Sequence, residues 1–163
     1  MSESTDIKYS LDEKGERYFP ATHVDAVIGI DKITESLKPS GEWIEFTPLS
    51  GTPNTAFKAE GENGINCAYR TIELLGIKIK SIRINLSNIK NGMIIQNLPV
   101  NFTKESQSWL VRTPAWHLPV TISLRPSGKL ALSMADSDKT NWIETDYIYG
   151  EYTWFEIEEG DNQ

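Results

Sequence analysis

One cysteine, Cys67, and two histidines, His23 and His117, are all that this 163-residue chain has of the side chains that most often bind metals or attack substrates. A single thiol makes neither an internal disulfide nor a cysteine-based zinc site. The histidines lie far apart, and no Asp or Glu cluster beside them has metal-ligand spacing, so no metal is expected. No apolar run approaches the roughly 20 residues that span a bilayer. The first ten residues are polar and no basic-then-apolar leader follows, so the expected place of synthesis is the cytosol, with any later exposure reached other than by secretion. Positive charge is also scarce: 16 Lys and Arg against 23 Asp and Glu leave a formal charge of −7. A field of that sign repels phosphate backbones and anionic headgroups, which argues against nucleic acid and membrane insertion.

Catalytic motifs are missing too. There is no G-x-S-x-G, no P-loop and no dinucleotide turn. Gly61-Glu62-Asn63-Gly64 lacks the Lys and the strand-to-helix setting of a phosphate loop, so no cofactor is implied. Cys67 falls in a strand-like run, where a small buried hydrophobe is its expected role rather than a nucleophile. Asp136-Ser137-Asp138 has the look of a calcium or general-base pair without the following ligands of an EF-hand. Scattered carboxylates among Asp136, Asp138, Glu144 and Asp146 leave a glycan hydrolase as the minor alternative to a chain with no catalytic residues.

What the chain does contain is an ordered change of texture. Residues 1–41 form an N-terminal arm. Within it Thr22 and Asp25 resemble a capping box, and Ala26, Ile30, Ile33 and Leu37 recur at spacings of four, three and four. That stripe predicts a short helix ended by Pro39-Ser40-Gly41. Isolated helices under about 12–15 residues are marginal, so the stripe must dock, either on its own β-domain or against copies of itself. Those four residues are the candidate oligomer contact.

Residues 42–157 read as strands. Expected runs are Trp43–Phe46, a poor one near Ala56–Lys58, Cys67–Leu75, Ile77–Leu86, Met93–Leu98, Trp109–Arg112, Pro119–Leu124, Lys129–Met134, Trp142-Ile143 and Tyr147–Ile157. Gly76, Asn91-Gly92 and Pro126-Ser127-Gly128 punctuate them as turns. In Ile77–Leu86 the apolar alternation slips at Lys80-Ser81, which predicts a bulge. Short strands at such spacing, with no βαβ alternation, predict a mainly β fold: an antiparallel β-sandwich or jelly-roll-like domain with a short N-terminal helix. Residues 158–163 form an acidic tail. From Trp142 to Gln163 there are seven acids and no base, which reads either as a solvated tail or as a cation or docking strip.

Aromatics are plentiful, with five Trp and six Tyr. Indoles and phenols serve both cores and binding faces, because each joins a large apolar area to a polar edge. Trp43 and Trp154 are expected in the core. Trp109, Trp116 and Trp142 lie near loops, with Arg112, His117, Asn141 and Tyr147 close by in sequence. The candidate saccharide or partner site is therefore Trp109, Trp116, His117, Asn141, Trp142 and Tyr147, with ordinary packing as the alternative role.

Two stretches carry a resemblance. Tyr18-Phe19-Pro20-Ala21-Thr22-His23-Val24-Asp25-Ala26-Val27-Ile28-Gly29 is similar to the YPxTHxxAVxG segment that opens tail-appendage and baseplate proteins of phages infecting Gram-positive bacteria. The order Gly41-Glu42-Trp43, Ala68-Tyr69-Arg70, Ile94–Pro99, Val120–Leu130 and Trp154-Phe155 resembles the small β-sandwich domains of those appendages, including lactococcal-type receptor-binding proteins. The family's Gly-Asn after its Tyr-Arg pair is absent here. The resemblance implies a non-enzymatic tail-tip or baseplate component located in the virion. Such a component binds host cell-wall saccharide during host adsorption, or binds neighbouring tail subunits, and is often a homotrimer. A purely structural adaptor with no ligand is the alternative it leaves open. No site residue transfers from the family.

Overall fold

The computed structural model describes residues 14, 41–74 and 76–157. The predicted helix with Ala26, Ile30, Ile33 and Leu37 lies outside the described residues, as do the first resemblance segment and the acidic tail. The chain divides after Lys38 into two units, and the second is the one built up below.

The described residues are mainly β, in antiparallel sheets, and hold no helix. Nine strands run in order: β1 Ile44–Glu45, β2 Thr52–Pro53, β3 Ala68–Leu74, β4 Ile77–Ser87, β5 Ile94–Asn97, β6 Gln107–Val111, β7 Val120–Leu124, β8 Lys129–Ser133 and β9 Tyr147–Ile157. One sheet centres on β4, flanked by β3 and β2 on one side and β9 on the other, with β1 beyond β3. The second runs β5-β8-β7-β6. Residues of both sheets enter one apolar cluster, with Ile82, Ile84, Leu86 and Ile148 from the first and Ile95, Ile122, Leu124 and Leu130 from the second, all fully buried. The sheets are also tied at their edges. Arg112 and Tyr149 exchange a backbone hydrogen-bond pair, and the Leu49 N–H donates to the Ile95 carbonyl at 2.7 Å.

β4 corrects the predicted bulge. Its register with β9 runs unbroken from Ile77 to Ser87, and with β3 from Ile77 to Arg83. Lys80 therefore shares the inward face of Ile82, Ile84 and Leu86 and is buried. The slip in the hydrophobic pattern is a charged residue turned inward, because Glu156 and the Phe102 carbonyl receive its ammonium. The register shift falls in β5 instead, between Ile94 and Gln96.

The outward face of β4 is partly roofed by residues 51–66. Asn85, fully buried, pins that segment by accepting from the Ala56 N–H and donating to the carbonyls of Ala56 and Ile65. The segment contributes β2 at Thr52–Pro53 rather than a strand at Ala56–Lys58, since Asn54 and Phe57 take positive φ and turn the chain. Trp142-Ile143 is likewise not a strand but a link between two turns, and the Asp138 carbonyl accepts from the N–H groups of Asn141 and Trp142. Trp154 is in the core as expected. Trp43 is only half-buried and stands outside it, with the guanidinium carbons of Arg70 and Arg83 at 4.3 and 3.8 Å from its ring centroid.

Candidate functional site

Three connections meet beside the last strand. They are residues 88–93 between β4 and β5, residues 112–119 between β6 and β7, and residues 134–146 between β8 and β9. Hydrogen bonds join the first to the third: Asn88 N–H donates to the Glu144 carbonyl at 3.0 Å, and Met134 N–H to the side-chain Oδ1 of Asn91 at 2.9 Å. A cleft of about 500 Å³ opens between the first and third connections, lined by Asn88, Lys90, Asn91, Lys139, Trp142 and Glu144 among others. Its wall thus combines amides, ammonium groups, a carboxylate and an indole.

His117 organises the neighbouring loop. Pro114 starts a turn that closes when His117 N–H donates to the Pro114 carbonyl. The imidazole is inserted between two carboxylates, with its side chain only 3% exposed. Nε2 donates to Asp146 Oδ2 at 2.8 Å, while Nδ1 lies 3.6 Å from Asp138 Oδ1. Each acid also holds backbone: Leu118 N–H donates to Asp138 Oδ2, and Ile143 N–H to Asp146 Oδ2. The Leu118 N–H, joined by His117 and Ser137, holds the Asp138 carboxyl below the ordinary range against the opposing effect of burial. The ring stacks on Trp142 at 4.3 Å between centroids and 26° between planes. Next to it Trp116 is 74% exposed.

The structure thus gathers Trp116, His117, Asn141 and Trp142 of the six candidate residues. Asn141 is exposed and donates to the Ser137 carbonyl. Trp109 is elsewhere: it is buried in β6 and stacked flat on Tyr152 at 4.5 Å. Tyr147 packs edge-on against Phe57, in a separate aromatic group with Tyr149. The two acids of Asp136-Ser137-Asp138 face different surroundings. Asp136 is exposed and paired with Lys139, whereas Asp138 is buried against the Leu118 backbone. Among the described residues no group of three or more His, Cys, Asp or Glu side chains is arranged to hold a metal. Cys67 is buried against the Asn85 carbonyl.

Sequence reasoning missed the cleft residues Asn88, Lys90, Asn91 and Lys139, and the roles of Asp138 and Asp146 toward His117. Asn91-Gly92 was legible only as a turn. The pairing of His117 with Asp146 spans a hairpin, and no local pattern encodes it. No family model matches the chain, and no curated protein is matched by it.

Proposed function

We propose that this chain is a non-enzymatic component of a phage tail tip or baseplate, and that it holds host cell-surface saccharide at the Trp116–His117–Trp142 end of the domain. In this reading the two sheets form a sandwich of the jelly-roll type, and its loops carry the contacts. The observation that carries the proposal is a pair of indoles that each meet the His117 ring: Trp116, which is exposed, and Trp142, which is half-buried and walls a cleft lined with amide, ammonium and carboxylate groups. Sugar rings offer apolar faces to indoles and hydroxyls to such polar groups, so concave sites of this mixed character suit them. The net charge of −7 favours neutral glycans over anionic ones.

The test is a pull-down with cell walls of a Gram-positive host, using wild type, Trp116→Ala and Trp142→Phe. Trp116→Ala should lower binding at least tenfold with an unchanged melting temperature, because its side chain is exposed. Binding unchanged in both variants removes these residues from the site.

A second reading, contact with neighbouring tail subunits, draws on a different surface. On the outward face of the first sheet, Ile72, Ile79 and Phe155 lie in one cross-strand row, and Leu74, Ile77 and Ile157 in the next. Phe155 and Ile157 are well exposed. Contiguous apolar patches of this kind mark protein contacts. An adaptor of this sort, whether it binds other tail proteins or forms a homotrimer, would co-sediment with tail structures and ignore cell walls.

A further inference from the structure

We infer that His117 is the positioning residue of the cleft: it fixes the plane of the Trp142 indole from behind, and Asp146 Oδ2 is the common reference point. The inference rests on the saccharide reading for its ligand, but its geometry stands apart from it.

Trp142 lies in a loop between two turns, where no strand ladder sets the direction of its side chain; its backbone N–H donates to the Asp138 carbonyl, and its buried indole N–H has no hydrogen-bond partner among the described residues. The apolar core packs against part of the indole, and the rest of its orientation must come from another contact. His117 is stacked on it at 4.3 Å, and the imidazole itself is immobilised, being almost fully buried and bonded through Nε2 to Asp146 Oδ2. The same oxygen accepts from the N–H of Ile143, the residue that follows Trp142. One carboxylate oxygen therefore fixes both the backbone next to the indole and the ring packed against it. Asp138, on the other side of the imidazole, ties down the next residue of that loop through the Leu118 N–H. Displacing His117 removes the ring stacked on the indole and leaves only its core-side packing to hold its plane, while the hydrogen bonds from the Trp142 and Ile143 N–H groups remain. Ligands that need a pre-set aromatic wall lose affinity when that wall must be ordered on binding.

The test uses His117→Gln, whose amide can keep the bond to Asp146 but which offers no ring. Near-ultraviolet circular dichroism of each protein minus that of its Trp142→Phe counterpart isolates the Trp142 band. The expected result is that His117→Gln loses at least half of that band with an unchanged far-ultraviolet spectrum. Its affinity for polysaccharide purified from a Gram-positive wall should fall at least tenfold. A retained Trp142 band overturns the inference, whatever binding does. A lost band in a protein whose wild type never binds the polysaccharide supports the positioning role and sinks the saccharide reading. Should His117→Gln fail to fold, nuclear Overhauser contacts between the His117 ring and the Trp142 indole decide on the wild-type chain: a single fixed set supports the inference, and averaged contacts overturn it.

Discussion

Lys80 Nζ lies 2.7 Å from Glu156 Oε2, with both side chains withdrawn from solvent on the inward faces of β4 and β9. The ammonium also donates to the Phe102 carbonyl at 2.6 Å, and Glu156 accepts from the Lys104 N–H and the Trp154 indole. Removing one partner of such a pair strands the other charge, which costs about 3–5 kcal/mol when burial is complete. Glu156→Gln should therefore destabilise by about 3 kcal/mol in urea unfolding. The double change Lys80→Met with Glu156→Gln should recover most of that loss, because the stranded charge is gone.

The same carboxylate gives a pH signature. Burial pushes the Glu156 carboxyl upward, but hydrogen bonds from Lys80, the Lys104 backbone and Trp154 outweigh it, so the folded value lies below the ordinary one. A lowered folded value means the stabilisation is complete above the ordinary glutamate range, near pH 4.3, and is lost as pH falls from there through the folded value. The urea midpoint should decline over that acid interval, and Glu156→Gln should flatten this part of the curve. A wild-type curve as flat as the variant's would refute the assignment.

Two glycines with left-handed backbone should respond differently to alanine. At Gly128, φ is +86°, and an added Cβ would collide with the Leu98 backbone carbonyl. At Gly92, φ is +75°, and the space is open. Gly92→Ala should cost about 1 kcal/mol from the left-handed conformation alone. Gly128→Ala should cost on the order of 3 kcal/mol or more, since the strand-to-loop contact must also shift. Equal losses in thermal unfolding would contradict this.

Cys67 is buried, and burial pushes its thiol up from the ordinary value, outweighing the backbone hydrogen bonds of Asn85 and Asn54. Thiolate is the reactive form, so native protein should react with a disulfide reagent only as fast as it unfolds. In denaturant one equivalent should react at once, because the chain has one cysteine.

Much of the sheet was legible locally. The β7–β8 hairpin follows its Pro-Ser-Gly turn, and β3 and β4 part at Gly76, because turn chemistry acts over two or three residues. Lys80 was not legible as a core residue, since its partner is reached only after the chain has returned as β9. Trp43 and Trp109 exchange their expected roles for a similar reason. Trp109 alternates inward in β6, whereas Trp43 meets two guanidiniums contributed by β3 and β4. Of the site, the loop aromatics Trp116 and Trp142 could be picked out, but the carboxylates around His117 could not. An acid in a loop looks the same in sequence whether it meets water or a buried ring.

The pairing of β4 with β9, Ile77 with Ile157 through to Ser87 with Tyr147, has a consequence during synthesis. The longest early strand of the nascent chain, β4, leaves the ribosome with one flank bare and stays so until residues 147–157 follow it. Pairing across so long an intervening stretch is slow, and exposed strand flanks invite aggregation. Translation speed and chaperone capture over that interval should thus govern the yield of folded protein more than the stability of the finished molecule does.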